Sequence, residues 1–158
     1  MDSARQLLRH TLATLAYRAA KPLRAAPESF CKYRPAESAR SAVEILAHMG
    51  DLFDWALSSV RGQETWHNSQ PQPWREETAR FFTALAAFDA YLESDNPLHV
   101  SADKLFQGPI ADAFTHVGQI ALMRRLAEAP VRGENYYVAK IAVGSVGAEQ
   151  AAPVYEFN

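Results

Sequence analysis

The residues with the most evident chemistry are two imidazoles and a carboxylate. Asp112 and His116 are four positions apart, so on an α-helix they lie one turn apart on the same face. Gln119 follows His116 by three positions and falls on that side too. His48 lies at the edge of the apolar stripe of an earlier helix. If the two helices pack together, these side chains can hold a divalent metal ion and leave positions open for water or substrate.

The same residues also have a plainer interpretation. A single histidine on an amphipathic helix is commonly half-buried and hydrogen-bonded to a neighbour. An Asp-x-x-x-His pair on one helix also arises by chance, as a local ion pair. On spacing alone, both a metal site and an ordinary helix interior stay open.

Amphipathic helices must position these side chains. Apolar periodicity predicts four of them, at about residues 3–20, 41–61, 74–94 and 109–128. Ser3 and Ser41 each begin a capping-box pattern at the start of a predicted helix. We expect Pro22 to end the first helix and Pro109 to open the fourth.

The other segments are predicted to be irregular. Residues 22–35 contain three prolines and are typical of a crossing loop. The tail, residues 131–158, is expected to hold a short helical turn near residues 136–142 and then an extended stretch. The predicted fold is therefore a single all-α domain over residues 1–158, a four-helix bundle with an irregular C-terminal tail. Its connections are either up-down-up-down or include one crossover.

The composition of the chain argues against some classes of function. The 158 residues are 48% apolar and 22% charged with a net charge of −2, which fits one globular domain and argues against a nucleic-acid surface. No run of about 20 uncharged apolar residues indicates a membrane span, and the N-terminus does not resemble a secretory signal. Cys31 is the only cysteine, so no intrachain disulfide can form. We expect a cytoplasmic protein with no membrane partner.

Two runs of the sequence resemble the DinB/YfiT-like family. Residues 42–49, AVEILAHM, resemble the second-helix signature of that family. Residues 112–120, DAFTHVGQI, resemble its later His-x-x-x-His-x-Gly-Gln-Ile motif. Residues 33–35, Tyr-Arg-Pro, and the order of the helices also fit, so the likeness covers about residues 3–128.

The resemblance implies a four-helix bundle with three histidines around a divalent metal, often zinc or nickel. His48 matches the first ligand and His116 the third, while Asp112 stands in the place of the second. A carboxylate there suits zinc, nickel, iron or manganese, and two histidines with one carboxylate also resemble non-haem iron sites. Gln119 is expected to orient a ligand or a metal-bound water. No separate general base stands out, so the catalytic residues stay unassigned.

Characterised members of that family include transferases and isomerases that use low-molecular-weight thiols. The resemblance thus predicts a metal-dependent enzyme, either a thiol-dependent S-transferase or a hydrolase. Two alternatives stay open: a non-catalytic stress-response or binding protein with a vestigial metal site, and a purely structural dimerising bundle. A homodimer is expected, because apolar residues are spread widely around the first helix. Nucleic acid is not an expected partner.

The remaining reactive side chains are interpreted as structural. His67 is assigned to a surface loop, and Cys31 to a small apolar role in the proline-bearing loop. Arg124 and Arg125 are expected to complement the negative end of the fourth helix dipole. Two further histidines have no partner suggested by spacing: His10 and His99.

Overall fold

The structure is a computed structural model that describes residues 2–157, and it is all-helical. Its α-helices in chain order are α1 (Ser3–Leu23), α2 (Glu28–Cys31), α3 (Ala42–Val60), α4 (Trp74–Glu93), α5 (Ala102–Leu105) and α6 (Ala111–Leu126). A π-helical turn (Phe106–Ile110) joins α5 to α6, and a 3-10 turn (Tyr136–Val138) follows in the tail. Within residues 2–157 the only β-type pairing is an isolated antiparallel bridge between Glu134 and Glu156.

The four long helices surround one apolar core. Helix α1 packs against α4 and α6, and α3 packs against the same two helices. Therefore α1 and α3 are diagonal to each other, and the segment between them crosses the end of the molecule. Phe53 lies at the centre, with its ring centroid 5.9 Å from that of Phe81 and 6.1 Å from that of Phe88. All three rings are fully buried.

A buried ion pair joins α1 to α4. The Arg9 guanidinium donates two hydrogen bonds of 2.9 Å to the Asp89 carboxylate, and both residues are buried. Glu93 lies 3.0 Å from the same guanidinium. Burying both charges is tolerable because they satisfy each other in a bidentate arrangement.

The prediction that Pro22 ends the first helix was wrong, because α1 continues to Leu23. A proline lacks the N–H that would bond to the carbonyl four residues earlier, so it costs the helix one hydrogen bond. Pro22 lies in the last turn of α1, where only one further residue, Leu23, has to follow it. Continuing the helix buries Leu23 in the core. Arg124 donates to the carbonyl oxygens of Pro22 and Arg24, at 3.2 and 3.3 Å, so it satisfies acceptors at the end of α1. Arg124 lies in the last turn of α6, where its charge was predicted to complement the helix dipole, and it is also a buried cap of α1.

The prediction that Pro109 opens the last long helix was also wrong. Helical structure already begins at Ala102 and runs through Pro109 by way of the π-helical turn. In an α-helix the Pro109 ring would collide with the carbonyl four residues earlier, and a π-turn widens the helix at that point. The Ala111 N–H bonds to the Phe106 carbonyl, which is the five-residue spacing of a π-turn.

The two capping boxes predicted from the sequence had different outcomes. The capping box of Ser41 and Glu44 is present at the start of α3. At α1, by contrast, Asp2 is the cap and accepts from the Arg5 N–H, where Ser3 had been predicted. The proline-bearing segment predicted as irregular contains the short helix α2.

The C-terminal tail is irregular, as predicted, and it lies against α1. Its 3-10 turn is shorter than the turn predicted for residues 136–142. Tyr17 donates a 2.5 Å hydrogen bond to Glu134, and Lys21 pairs with Glu156. Burial and the Glu134 carboxylate raise the pKa of Tyr17, so its hydroxyl stays protonated as the donor.

The apolar residues of α1 are mostly covered within the chain. Leu8, Leu12 and Leu15 are buried, while Leu7 is 66% exposed. The spread that suggested a partner helix is thus largely explained by contacts inside one chain, and the homodimer stays a prediction. Among residues 2–157, no helix combines the length and the apolar character that crossing a membrane requires.

Candidate metal centre

Helix α3 positions His48 at the edge of the core. The Ser41 capping box fixes the start of the helix, and its apolar face is buried against α4 and α6. Ile45 and Leu52, one turn to either side of His48, belong to that buried face. The His48 side chain, 17% exposed, therefore points along the boundary between core and solvent, toward α6.

Helix α6 brings Asp112 and His116 to the same point. His48 Nε2 lies 3.4 Å from Asp112 Oδ2, and His116 Nε2 lies 3.4 Å from Asp112 Oδ1. The two imidazole centroids are 4.9 Å apart, with their planes at 89°. His116 is buried, whereas the Asp112 side chain is 45% exposed. The three side chains that spacing singled out thus converge, with the carboxylate on the solvent side.

This geometry fits a shared cation. One ligand atom from each residue lies within 4.8 Å of the other two. Two ligands about 2.1 Å from a tetrahedral ion are about 3.4 Å apart. Each imidazole lies at that distance from one oxygen of Asp112, His48 from Oδ2 and His116 from Oδ1. Two nitrogens and one oxygen form a donor set that zinc, nickel, iron and manganese all accept. Three protein ligands also leave a coordination position for an exogenous group.

Gln119 fixes the orientation of His116. Its side-chain oxygen Oε1 lies 2.7 Å from His116 Nδ1. An amide oxygen can only accept, so Nδ1 is the donor in this contact, and in the neutral form of the imidazole the proton is on Nδ1. The lone pair on Nε2 is then directed toward Asp112 and His48, as a metal ligand requires.

Burial keeps His48 neutral. It lowers the pKa of His48, and the positive charge of Arg40 acts in the same direction, while the hydrogen bond to Asp112 opposes both. The net shift is downward, so the imidazole is uncharged at neutral pH. A neutral imidazole is the form that binds a metal ion.

The loop between α3 and α4, residues 61–73, covers one side of His48. The Trp66 ring lies edge-to-face on the His48 ring, with centroids 5.6 Å apart, and it contacts Trp55 at 5.9 Å. Ser58 and Ser69 fasten this loop. The Thr65 N–H donates to Ser58 Oγ, and Ser69 donates through both its N–H and its hydroxyl to the Asp51 carboxylate.

A second group of potential ligand atoms lies at the base of this loop. Asp51, Asp54 and His67 also place ligand atoms within 4.8 Å of one another. The Arg80 guanidinium, however, is already among them, 3.0 Å from Asp51 and 3.3 Å from Asp54. Burial lowers the pKa of Arg80, but Glu77 and Asp51 raise it by more, so the guanidinium remains charged. This group is an ion-pair network that holds the loop.

His67 takes part in that network. It had been interpreted as a surface loop residue, and its side chain is indeed 46% exposed. Its Nε2 nevertheless lies 3.1 Å from Asp51 and 3.4 Å from Asp54. His67 therefore joins the loop to α3 and does not join the group around His48.

A cavity of about 370 Å³ opens next to His116. His116, Gln119 and Arg40 are its polar lining residues, and its apolar lining includes Leu122 and Leu126. The candidate centre therefore adjoins a space large enough for a small molecule.

Sequence reasoning missed Arg40 beside this centre and gave Trp66 no position. Trp66 contacts His48 from a loop whose path no periodicity indicates, and Arg40 lines the cavity just before α3 begins. The adjacency of Trp66 and His67 was the one available signal of a loop that carries aromatic and basic groups. No family model, curated protein or solved structure matches the chain.

Proposed function

We propose that the chain binds one divalent metal ion through His48, Asp112 and His116 and uses it in an enzymatic reaction. The observation that supports this most is the convergence of three ligand atoms from two helices at separations suited to one ion. The Gln119 contact supports it too, because it directs the Nε2 lone pair of His116 inward.

We also propose that the four long helices form a bundle of the DinB/YfiT-like type. Two runs of sequence motivate this, and each contributes to the candidate centre: residues 42–49 supply His48, and residues 112–120 supply Asp112 and His116. The packing of α3 against α6 is compatible with such a bundle. Zinc and nickel are the preferred ions, followed by iron and manganese.

The reaction class that fits this arrangement is thiol-dependent S-transfer, with hydrolysis as its competitor. A divalent cation at this position would acidify a thiol or a water molecule, which makes either a better nucleophile at neutral pH. In S-transfer the thiol sulfur forms a bond to an electrophilic carbon, the leaving group departs with its electron pair, and the thiol proton passes to solvent. The chain itself contributes the cavity beside His116, and the Trp66 loop excludes water from one side of His48.

Elemental analysis of protein purified without chelator tests this proposal. We expect one divalent ion per chain in the wild type and none in His116→Ala. His10→Ala is the matched control, because His10 is an exposed histidine and should keep its metal. A His116→Ala chain with full metal content would refute the ligand assignment. A wild-type chain that refuses added zinc, nickel, iron and manganese would favour the non-catalytic alternative.

Thermal unfolding is a second test of the metal site. A ligand that binds only the folded state at a hundred times its Kd adds about 2.7 kcal/mol of stability. Zinc should therefore raise the Tm of the wild type and of His10→Ala, and leave that of His116→Ala unchanged. An equal rise in His116→Ala would place the bound zinc elsewhere.

A further inference from the structure

The lining of the cavity beside the candidate centre is partly polar and partly apolar. Its polar residues are Arg40, His116 and Gln119. Its apolar residues include Leu122 and Leu126, which are 57% and 53% exposed although they are large hydrophobic side chains. Two adjacent exposed leucines beside a cavity are typical of a surface that binds an apolar group.

The formal charge of this lining is positive. Arg40, an exposed residue, contributes a guanidinium to it. No acidic residue lines the cavity in the part of the chain that the structure describes, and no carboxylate of residues 2–157 pairs with Arg40. A metal ion at His116 would add further positive charge. A guanidinium left without a partner in this position is suited to hold a carboxylate or another anion.

We infer that the cavity binds a small amphiphilic anion, with its anionic group at Arg40 and the metal centre and its apolar body against Leu122 and Leu126. This inference rests on the proposed metal site for one of its two sources of positive charge, while Arg40 supplies the other. The substrate class is thus a medium-chain carboxylate or a molecule of similar shape. The mixed lining argues for such a molecule over a uniformly polar ligand, which would leave the leucines against water.

Isothermal titration of octanoate into the zinc-loaded chain, below its micelle-forming range, tests the inference. Octanoate should bind more tightly than acetate, which lacks the tail, and octylammonium should not bind, because its charge is opposite. Each buried methylene contributes about fourfold in affinity, so hexanoate, which is two methylenes shorter, should bind about fifteenfold more weakly than octanoate. Equal affinity for octanoate and acetate would overturn the apolar half of the inference.

Two variants separate the polar and apolar contributions. Arg40→Gln should weaken octanoate binding about tenfold, because a charge-assisted hydrogen bond is lost. Arg75→Gln, which removes an exposed arginine outside this cavity, is its matched control. Leu122→Ser should weaken octanoate and leave acetate unchanged, whereas Leu7→Ser, at another exposed leucine, should change neither.

The outcomes distinguish this inference from the proposed function. Zinc binding without octanoate binding overturns the inference and leaves the metal site standing. If zinc does not bind, the proposed function fails. In that case the metal-free chain is titrated with octanoate: binding that Arg40→Gln weakens still supports the inference, and a lack of octanoate binding overturns it. Sedimentation is the last check. If the chain is a dimer that Leu122→Ser dissociates and octanoate does not, a second copy of the chain covers the leucines. That result also overturns the inference.

Discussion

The ion-pair network at Asp51 permits a quantitative prediction, with Asp51→Asn as the perturbation. The Asp51 carboxylate is 3% exposed, and it accepts from the Ser69 N–H at 2.9 Å, the Ser69 hydroxyl at 2.7 Å and Arg80 at 3.0 Å. An asparagine has one acceptor oxygen, so its amide N–H₂ must face one of these donors. The substitution also removes the negative charge opposite Arg80.

The expected cost follows from the contacts that survive. Breaking a buried ion pair by removing one partner costs about 3–5 kcal/mol. Arg80 keeps its 2.8 Å contact with Glu77 and its hydrogen bond to the Ala47 carbonyl, so we expect about 3 kcal/mol, the lower end of that range. At about 2.1 cal/mol/K per residue, the 158-residue chain has an unfolding entropy of about 0.33 kcal/mol/K, and Tm should fall by about 9 °C.

Circular dichroism at increasing temperature measures this fall. Asp54→Asn is the control, because Asp54 contacts the same Arg80 but its side chain is 38% exposed, so its loss should cost less than about 1 kcal/mol. Acrylamide quenching of Trp66, in a chain with Trp55 and Trp74 replaced by phenylalanine, should increase in Asp51→Asn as the loop loosens. An unchanged Tm in Asp51→Asn, or an equal fall in Asp54→Asn, would refute the reasoning.

Three further predictions concern other parts of the fold. Asp89→Ala leaves the Arg9 charge buried without its bidentate partner and should cost about 3 kcal/mol in urea unfolding; a loss no larger than that of an exposed substitution would contradict this. The capping box at Ser41 and the Arg34 contact lower the pKa of Glu44 below its ordinary 4.5, so its stabilisation is present above that pH and is lost as pH falls through the native pKa. Glu44→Gln should therefore flatten the acid limb of the stability profile, and an unaltered limb would count against the capping box. Burial raises the pKa of Cys31, so iodoacetamide should alkylate it more slowly than free cysteine at mildly alkaline pH; faster alkylation would show an activated thiol.

The sequence could predict those features of the site that a single helix determines. Asp112 and His116 share a face because four residues make one helical turn, whatever surrounds them. Gln119 reaches His116 for the same reason, at a spacing of three. The meeting of these residues with His48 required α3 to pack on α6, and the apolar faces of the two helices indicate that they pack but not against which neighbour.

Features that depend on long-range contacts could not be predicted in this way. Pro22 normally signals a helix end, but the burial of Leu23 and the capping by Arg124 outweighed the lost hydrogen bond. Pro109 normally signals a helix start, yet a widened turn accommodated its ring. Trp66 reaches His48 because Ser69 is fastened to Asp51, a contact between residues 18 positions apart that no local pattern encodes.

The π-helical turn at Phe106–Ile110 is wider than an α-helical turn, so the side-chain directions of α5 and α6 do not follow one continuous α-helical repeat. Removing one residue there, Pro109 itself, would restore ordinary α-helical winding and rotate everything upstream by about 100°. Leu105, now fully buried, would swing out of the core, while Asp112 and His116 would keep their mutual spacing. Insertions and deletions before this point therefore alter how the helix is anchored without altering the pair of side chains that follows it.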